Sequence, residues 1–222
     1  MPIKLDMQVK EIKSYINRVF CSADVVRANS GNRSSMPWYA RDRAKANYEH
    51  NAKLTKYGPG QFIHAQSDLA NYKMGDTTSD KMGCGWVATY NALIILGTYA
   101  TPANLIYEFE MKGLVGGGIL ASQVKQYFNE HGYSVKSHMI LNSNLDSLIR
   151  GCRVMILAFG WYNLSKLEYG FHMVAITYDS NKGKFLIYNE TGYNLSGPKE
   201  EASMDVWWAR TGSVYITSMT IS

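Results

Sequence analysis

The sequence predicts an α+β protein in which a helical half precedes an antiparallel sheet. Up to about residue 150, apolar residues recur at helical spacing, and after Gly151 short β-branched and aromatic runs are separated by turn residues. Helices and strands are therefore segregated along the chain, which is typical of α+β folds and differs from alternating βαβ units. The 222 residues are 46% hydrophobic and 18% charged, which is the composition of a folded globular protein.

The helical half is predicted to contain six helices. The first is amphipathic and the second is more polar. In the fourth, Thr101 is expected to cap the N-terminus, Pro102 to occupy the first helical position and Gly113 to follow the last turn. The predicted helices cover residues 5–20, 39–55, 84–96, 102–112, 120–131 and 145–149.

Four strands are predicted in the second half, each a short run rich in β-branched and aromatic residues. Residues 179–183 separate two of these runs and have the composition of a hairpin turn. The predicted strands cover residues 154–159, 172–178, 185–188 and 214–221.

Charge divides the chain into two unequal parts. Residues 1–70 hold 11 Lys/Arg and 6 Asp/Glu, and the remainder holds 12 of each. We therefore predict a basic, partly helical N-terminal extension over residues 1–69 and a separate domain over residues 70–222. The extension is interpreted either as an arm that meets an acidic partner or as a solvated segment. Zinc spacing, a recognition helix and an RNA-binding aromatic signature are all missing, which argues against nucleic acid as a partner.

Several function classes are excluded by composition. No apolar run approaches the ~20 residues of a membrane span, and the N-terminus lacks the order of a secretory signal. Three cysteines cannot all pair, so reduced thiols are expected, with Cys21 and Cys152 as packing residues. No metal and no cofactor is predicted, because four of the five histidines show no ligand spacing. These four are His50, His64, His131 and His138.

Cys84 is the candidate nucleophile. It stands between Gly83 and Gly85 at the predicted start of a helix. The positive end of a helix dipole is expected to stabilise a thiolate and lower the thiol pKa. The two glycines are expected to let a substrate backbone approach the sulfur.

His172 and Asn189 are the candidate partners of this thiol. His172 is expected to enter an apolar strand just after Gly170, and Asn189 to end the next strand of the same hairpin. Adjacent antiparallel strands bring such positions together. A nucleophile, a general base and an orienting amide therefore follow one another in the order Cys, His, Asn.

These motifs resemble those of the papain-like cysteine peptidases. Gly83, Cys84, Gly85 and Trp86 open a helix, and the surroundings of His172 and Asn189 are similar to the family's second and third motifs. Within the family the sequence looks closest to the double-glycine leader peptidases and their relatives. The resemblance covers residues 70–222. It implies a papain-like fold in which Cys84 attacks the scissile carbonyl, His172 transfers the proton and the Asn189 amide holds the imidazole.

The oxyanion hole departs from the family pattern. The resemblance implies a glutamine six residues before the nucleophile, where this sequence has Thr78. The Cys84 backbone N–H is expected to remain a donor, with Gln66 as the side-chain donor and Gln61 or Asp80 as substitutes. Losing one donor typically lowers the rate by about 10²–10³-fold.

The sequence therefore predicts a cysteine peptidase that acts on a protein or peptide substrate through an acyl-enzyme. The resemblance and four bulky residues that could narrow a cleft favour cleavage after small residues such as Gly-Gly. The four residues are Trp86, Trp161, Trp207 and Trp208. Two alternatives stay open at this point. One is an acyltransferase or transglutaminase-type enzyme with the same triad, and the other is a catalytically weak binding module.

The expected location follows from the same features. Without a signal sequence the chain is expected to be cytoplasmic, or exported by a dedicated secretion system. A basic N-terminal stretch, and a chain that stops just after its last strand, suggest a bacterial effector or toxin module. Such a module would act on a cytosolic protein of a target cell and would have an immunity or inhibitor protein in its producer.

Overall fold

The computed structural model describes residues 38–114, 118–139, 144–163, 168–190 and 196–222. The predicted helix over residues 5–20 and the Cys21 thiol lie outside these ranges. Helices and an antiparallel sheet make up the described chain, so the α+β class is confirmed. Among the described residues, no helix combines the length and the apolar character that crossing a membrane requires.

Five helices lie where the sequence predicts them. Thr101 caps one of these, since its side chain accepts a hydrogen bond from the Asn104 N–H, and Pro102 is its first residue. A four-residue helix before Cys84 and a helix between the last two strands were not predicted. In chain order the helices are α1 (Trp38–Asn51), α2 (Ser79–Met82), α3 (Cys84–Ile95), α4 (Pro102–Lys112), α5 (Ala121–Glu130), α6 (Leu145–Arg150) and α7 (Met204–Thr211).

The described strands are β1 (Lys73–Met74), β2 (Thr77–Thr78), β3 (Val135–His138), β4 (Val154–Asn163), β5 (Glu168–Asp179), β6 (Lys184–Tyr188), β7 (Lys199–Glu201) and β8 (Val214–Ile221). The main sheet has six of them in the order β3–β8–β4–β5–β6–β7, and every neighbouring pair is antiparallel. The four predicted strands are present. The first two of these are longer than expected, and the strands at both edges of the sheet were not predicted.

The sheet separates two apolar clusters. Side chains alternate across a strand, so Met173 and Ala175 of β5 pack with helix α3 on one face. Val174 and Ile176 pack on the other face with residues of α6 and α7, among them Trp207. Helix α3 is buried along its first ten residues, Cys84 to Leu93, which makes it the central helix of the first cluster.

Residues before position 70 share this core. Ile63 and Leu69 are fully buried in the cluster around α3. The Asn51 side chain of α1 exchanges two hydrogen bonds with the backbone of Lys73, at 2.8 and 2.9 Å. The Asn91 side chain of α3 forms the same pair of hydrogen bonds with the backbone of Ile63. The expected boundary at residues 69/70 therefore does not separate two packing units in the part of the chain that the structure describes.

The β5–β6 hairpin positions the candidate site. Its turn is held by the Asp179 carboxylate, which accepts hydrogen bonds from the N–H groups of Asn181 and Lys182. Pairing between the two strands begins at Asp179 and Lys184 and ends at Ala175 and Tyr188. Beyond that point β6 no longer covers β5, and the chain of Asn189 turns away. His172 and Cys84 lie near this end of the hairpin.

Candidate active site

Cys84 is the first residue of helix α3, as predicted, and only 8% of it is exposed. The backbone N–H of Met173, the residue that follows His172 on β5, lies close enough to the sulfur to lower the pKa of the Cys84 thiol. The sulfur thus approaches β5 beyond the last pair that β6 forms with it. The Cys84 helix and the His172 strand therefore meet at the end of the hairpin.

The protonation state of this thiol differs from the sequence expectation. Burial raises the pKa of Cys84 to about 11, and the N–H groups of Met173, Gly85 and Cys84 itself offset only part of this effect. The expected lowering of the pKa by the helix N-terminus is therefore outweighed by desolvation. In this conformation Cys84 is a neutral thiol at neutral pH, so it needs a base to become a nucleophile.

The two glycines that flank Cys84 allow neighbouring parts of the protein to pack closely against the chain. A Cβ on Gly83 would lie 2.3 Å from the Ser79 carbonyl oxygen, and one on Gly85 would lie 2.7 Å from the Ile119 Cβ. Both positions are thus filled by the protein itself. The expectation that these glycines leave room for a substrate backbone is wrong, because helix α2 and Ile119 occupy that room.

His172 lies in the middle of β5, opposite Phe159 of β4, and not at the start of a strand as expected. Its ring packs edge-on against the Phe159 ring, with centroids 5.7 Å apart. The Nε2 atom lies 2.5 Å from the backbone carbonyl oxygen of Asn189. A carbonyl oxygen can only accept, so Nε2 carries the proton of the neutral ring. The basic lone pair is then on Nδ1.

Burial lowers the pKa of His172, and the Asn189 carbonyl and the Glu190 carboxylate oppose this shift. The ring is therefore neutral at neutral pH and able to accept a proton. Within the described residues, no hydrogen bond joins the Cys84 sulfur to this ring. Catalytic hydrogen bonds are often long in the absence of substrate and shorten when it binds.

Asn189 contacts His172 through its backbone carbonyl, and not through the side-chain amide expected from the sequence. Asn189 has a left-handed backbone with φ 62°, which asparagine tolerates better than most residues. This conformation ends β6. The side-chain amide instead donates to the Gln66 Oε1 atom over 3.3 Å.

Gln66 is the one predicted oxyanion side chain that contacts a triad candidate. Its Nε2 atom donates to the Asp80 carbonyl of α2 at 3.0 Å, which leaves its second N–H for another acceptor. The side chain of Gln61 lies beside its own turn, where its Oε1 atom accepts from the Gly58 N–H. Thr78 immediately precedes helix α2. Gln66 thus joins the end of β6 to the helix that precedes Cys84.

The tryptophans do not form the cleft that the sequence suggested. Trp86 is completely buried and donates to the Ser79 hydroxyl, so it cannot contact a substrate. Trp207 is also buried and packs edge-on against Phe159. Trp208 and Trp161 are partly exposed. Of the four, these two alone could line a cleft.

Sequence reasoning missed two features of the site. The first is the segment over residues 62–66, in which Phe62 and His64 stack on Tyr188 and Gln66 contacts Asn189. The alternation of apolar Ile63 and Ala65 with polar His64 and Gln66 was the available signal in the sequence. The second is Glu190, whose side chain accepts from Lys199 and Trp207.

Metal chemistry gains no support from the residues that the structure describes, since no cluster of His, Cys, Asp and Glu there could hold an ion. In comparisons with known proteins, no family model and no curated sequence matches the chain. The geometry around Cys84, His172 and Asn189 is therefore the main indication of function.

Proposed function

We propose that the protein is a cysteine peptidase in which Cys84 is the nucleophile and His172 the general base. One observation carries this proposal. The sulfur at the start of the central helix lies near the Met173 N–H, one residue from an imidazole whose Nε2 is held by the Asn189 carbonyl. A thiol and a base of fixed tautomer, both beside the end of β6, are the components of covalent acyl transfer.

The first step forms an acyl-enzyme. Cys84 Sγ gives its proton to His172 Nδ1 and attacks the scissile carbonyl carbon, whose oxygen becomes an oxyanion. The carbon–nitrogen bond then breaks, the imidazolium gives its proton to the leaving amine, and a thioester remains. In the second step water attacks the thioester and His172 takes a proton from that water. The carbon–sulfur bond then breaks, the imidazolium returns the proton to Cys84 Sγ, and the carboxylic acid is released.

The backbone supports the charge that develops in these steps. The first N–H groups of a helix have no intrahelical acceptor, so the Cys84 N–H is available to the oxyanion. The second N–H of Gln66 is the proposed side-chain donor, because Gln66 is tied to both Asn189 and Asp80. Thr78 plays no part in this proposal.

The substrate is proposed to be an extended segment of a protein, cut after small residues such as Gly-Gly. The support is steric: Cys84 and His172 are each only 8% exposed, and a covered thiol disfavours branched side chains beside the scissile bond. The proposal extends to an effector or toxin module with an immunity protein as partner. An acyltransferase shares every step except that an amine or thiol replaces water.

A non-catalytic binding module is the second candidate, and the raised pKa of the Cys84 thiol favours it. A buried neutral thiol with no direct hydrogen bond to the base is what an inactive relative of such an enzyme would have. Peptide-library profiling with mass spectrometry separates the candidates. New carboxyl termini after small pairs support the peptidase, adducts with added amines support the transferase, and an unchanged library supports the binding module.

The decisive control is a pair of cysteine variants. Cys84→Ala should abolish turnover, and Cys152→Ala should retain it, because Cys152 is a half-buried thiol on the other side of the sheet. Equal activity of the two variants would overturn the proposal. The toxin role has its own test. Wild-type and Cys84→Ala proteins are expressed in a bacterial cytosol, and equal growth would contradict it.

A further inference from the structure

Glu190 is a largely buried carboxylate that the proposed mechanism does not use. It directly follows Asn189, whose carbonyl holds the His172 ring, and its side chain is only 13% exposed. Its Oε1 atom accepts from Lys199 Nζ at 2.6 Å and from Trp207 Nε1 at 3.3 Å. The carboxylate thereby connects the end of β6 to β7 and α7.

Two ring contacts connect Trp207, the partner of Glu190, to His172. Trp207 packs against Phe159, and Phe159 packs against the His172 ring. The Glu190 carboxylate therefore accepts a hydrogen bond from Trp207, and Trp207 packs on the Phe159 ring that contacts the imidazole. The residue before it supplies the carbonyl that orients the ring. Position and charge of Glu190 thus both act on His172, although no hydrogen bond between the two side chains is described.

We propose that Glu190 is a positioning residue for His172: it holds the Asn189 carbonyl against Nε2, and its negative charge favours the imidazolium that forms when Cys84 loses its proton. Its catalytic meaning rests on the proposed function. The electrostatic effect on His172 does not, and it can be measured without turnover. The opposing desolvation of His172 makes such a charge useful, because burial alone disfavours the charged ring.

Other charged groups around Glu190 form a chain that leads to the surface. Lys199 neutralises Glu190 and also lies 3.8 Å from Glu201. Glu201 in turn pairs with Arg210 of α7 at 2.7 Å. On the other sides the groups near His172 are neutral: the Phe159 ring of β4 packs against the imidazole, and the Cys84 thiol of α3 lies near the N–H of the next residue, Met173. Among the described residues, Glu190 and its partner Lys199 are therefore the charges to change.

Substitutions of Glu190 and of its partner Lys199 should shift the titration of His172 in opposite directions. Glu190→Gln keeps an oxygen for the Trp207 N–H and removes the charge, so His172 should titrate at lower pH. Lys199→Met leaves the carboxylate without its neutralising partner, so His172 should titrate at higher pH. A merely structural role for the pair would move both variants in the same direction. Glu200→Gln is the matched control, since Glu200 lies on the same strand and pairs with exposed Lys182.

The experiment follows the His172 ring by NMR in a Cys84→Ala background, where no thiol couples to it, with the His172→Ala spectrum for assignment. We expect the titration midpoint to fall by about one pH unit in Glu190→Gln, to rise in Lys199→Met, and to stay in Glu200→Gln. An unmoved midpoint in Glu190→Gln, or shifts of one sign in both variants, would overturn the inference. With Cys84 restored, alkylation of that thiol should slow in Glu190→Gln. If the midpoints shift as expected but the rate of Cys84 alkylation does not change, the peptidase proposal is contradicted and the effect of Glu190 on His172 is retained.

Discussion

The His172 ring is fixed by the backbone of Asn189 and not by its side chain: Nε2 and the carbonyl oxygen are 2.5 Å apart. A backbone acceptor cannot be removed by a side-chain substitution. It depends instead on the backbone conformation at Asn189, which is left-handed. The orientation of the proposed base is therefore encoded in the φ angle of Asn189, and substitutions there should act through conformation.

Asn189→Gly should consequently retain more activity than Asn189→Ala. Glycine adopts a positive φ freely, whereas alanine pays about 1 kcal/mol or more for it. Both variants lose the amide that donates to Gln66, so this loss cancels in the comparison. The measurement is kcat/KM, with thermal unfolding as a check on folding. Equal rates for the two variants would show that the backbone conformation at position 189 does not control the orientation of His172.

Cys152 provides an internal reference for the reactivity of Cys84. Burial raises the pKa of both thiols to about 11, so on that basis both should alkylate slowly at pH 7. If His172 accepts the Cys84 proton, Cys84 should react at least about tenfold faster than Cys152. His172→Ala should remove this excess at pH 7 and leave Cys152 unchanged.

The readout is iodoacetamide labelling followed by peptide mass spectrometry, which separates each cysteine. The two rates should approach each other near pH 11, where both thiols ionise without a base. A Cys84 that labels no faster than Cys152 across the whole pH range would count against His172 as its base.

The sequence predicts helix α3 and the β5–β6 hairpin because each depends on local signals. Glycines beside Cys84 and an apolar run define the helix, and the turn after Asp179 defines the hairpin. Pairing of β5 with β6 brings Asn189 near His172, although the paired region itself ends at Ala175 and Tyr188. Helix α7 could also have been predicted, because serine is a typical N-cap residue. The Ser203 side chain caps this helix by accepting a hydrogen bond from the Val206 N–H.

The details that sequence reasoning got wrong depend on long-range packing. The φ angle of Asn189 decides which of its atoms contacts the imidazole, and this angle cannot be read from the amino-acid sequence. The pKa of Cys84 depends on how completely other elements cover it, and burial reverses the effect expected of a helix end. The glycine beside it meets Ile119, which belongs to a distant part of the chain.

Glu110 makes stability depend on pH. It is 5% exposed, its Oε1 atom accepts from Asn47 and the Gly75 N–H, and its Oε2 atom has no partner. Burial raises its pKa from 4.5 to about 7, against the effects of Asn47, the Gly75 N–H and Arg43. The folded state therefore binds more protons than the unfolded state between these values. The free energy of unfolding should fall as pH rises from about 4.5 to about 7.

A pKa difference of this size corresponds to at most about 3 kcal/mol. Glu110→Gln removes the ionisation and keeps an oxygen for Asn47 and the Gly75 N–H. Urea unfolding at pH 5 and pH 8 should show a smaller loss of stability in this variant than in the wild type. Glu49→Gln, an exposed change on α1, is the control and should leave the pH dependence as it is. A Glu110→Gln protein with the wild-type pH dependence would rule out this carboxyl as its source.

Gly85→Ala distinguishes a packing glycine from a substrate-binding one. Alanine is favoured over glycine inside a helix by up to about 1 kcal/mol, so an open site would gain stability. Here the new Cβ would lie 2.7 Å from the Ile119 Cβ and 3.3 Å from its carbonyl oxygen, and neither atom can move without the backbone. We expect Gly85→Ala to lower the free energy of unfolding by about 1–3 kcal/mol. Gly197→Ala, where a Cβ meets nothing within 4 Å, should change it by less than about 0.5 kcal/mol. If Gly85→Ala instead keeps full stability and loses only turnover, Gly85 faces the substrate, and the covered site described above must open before it acts.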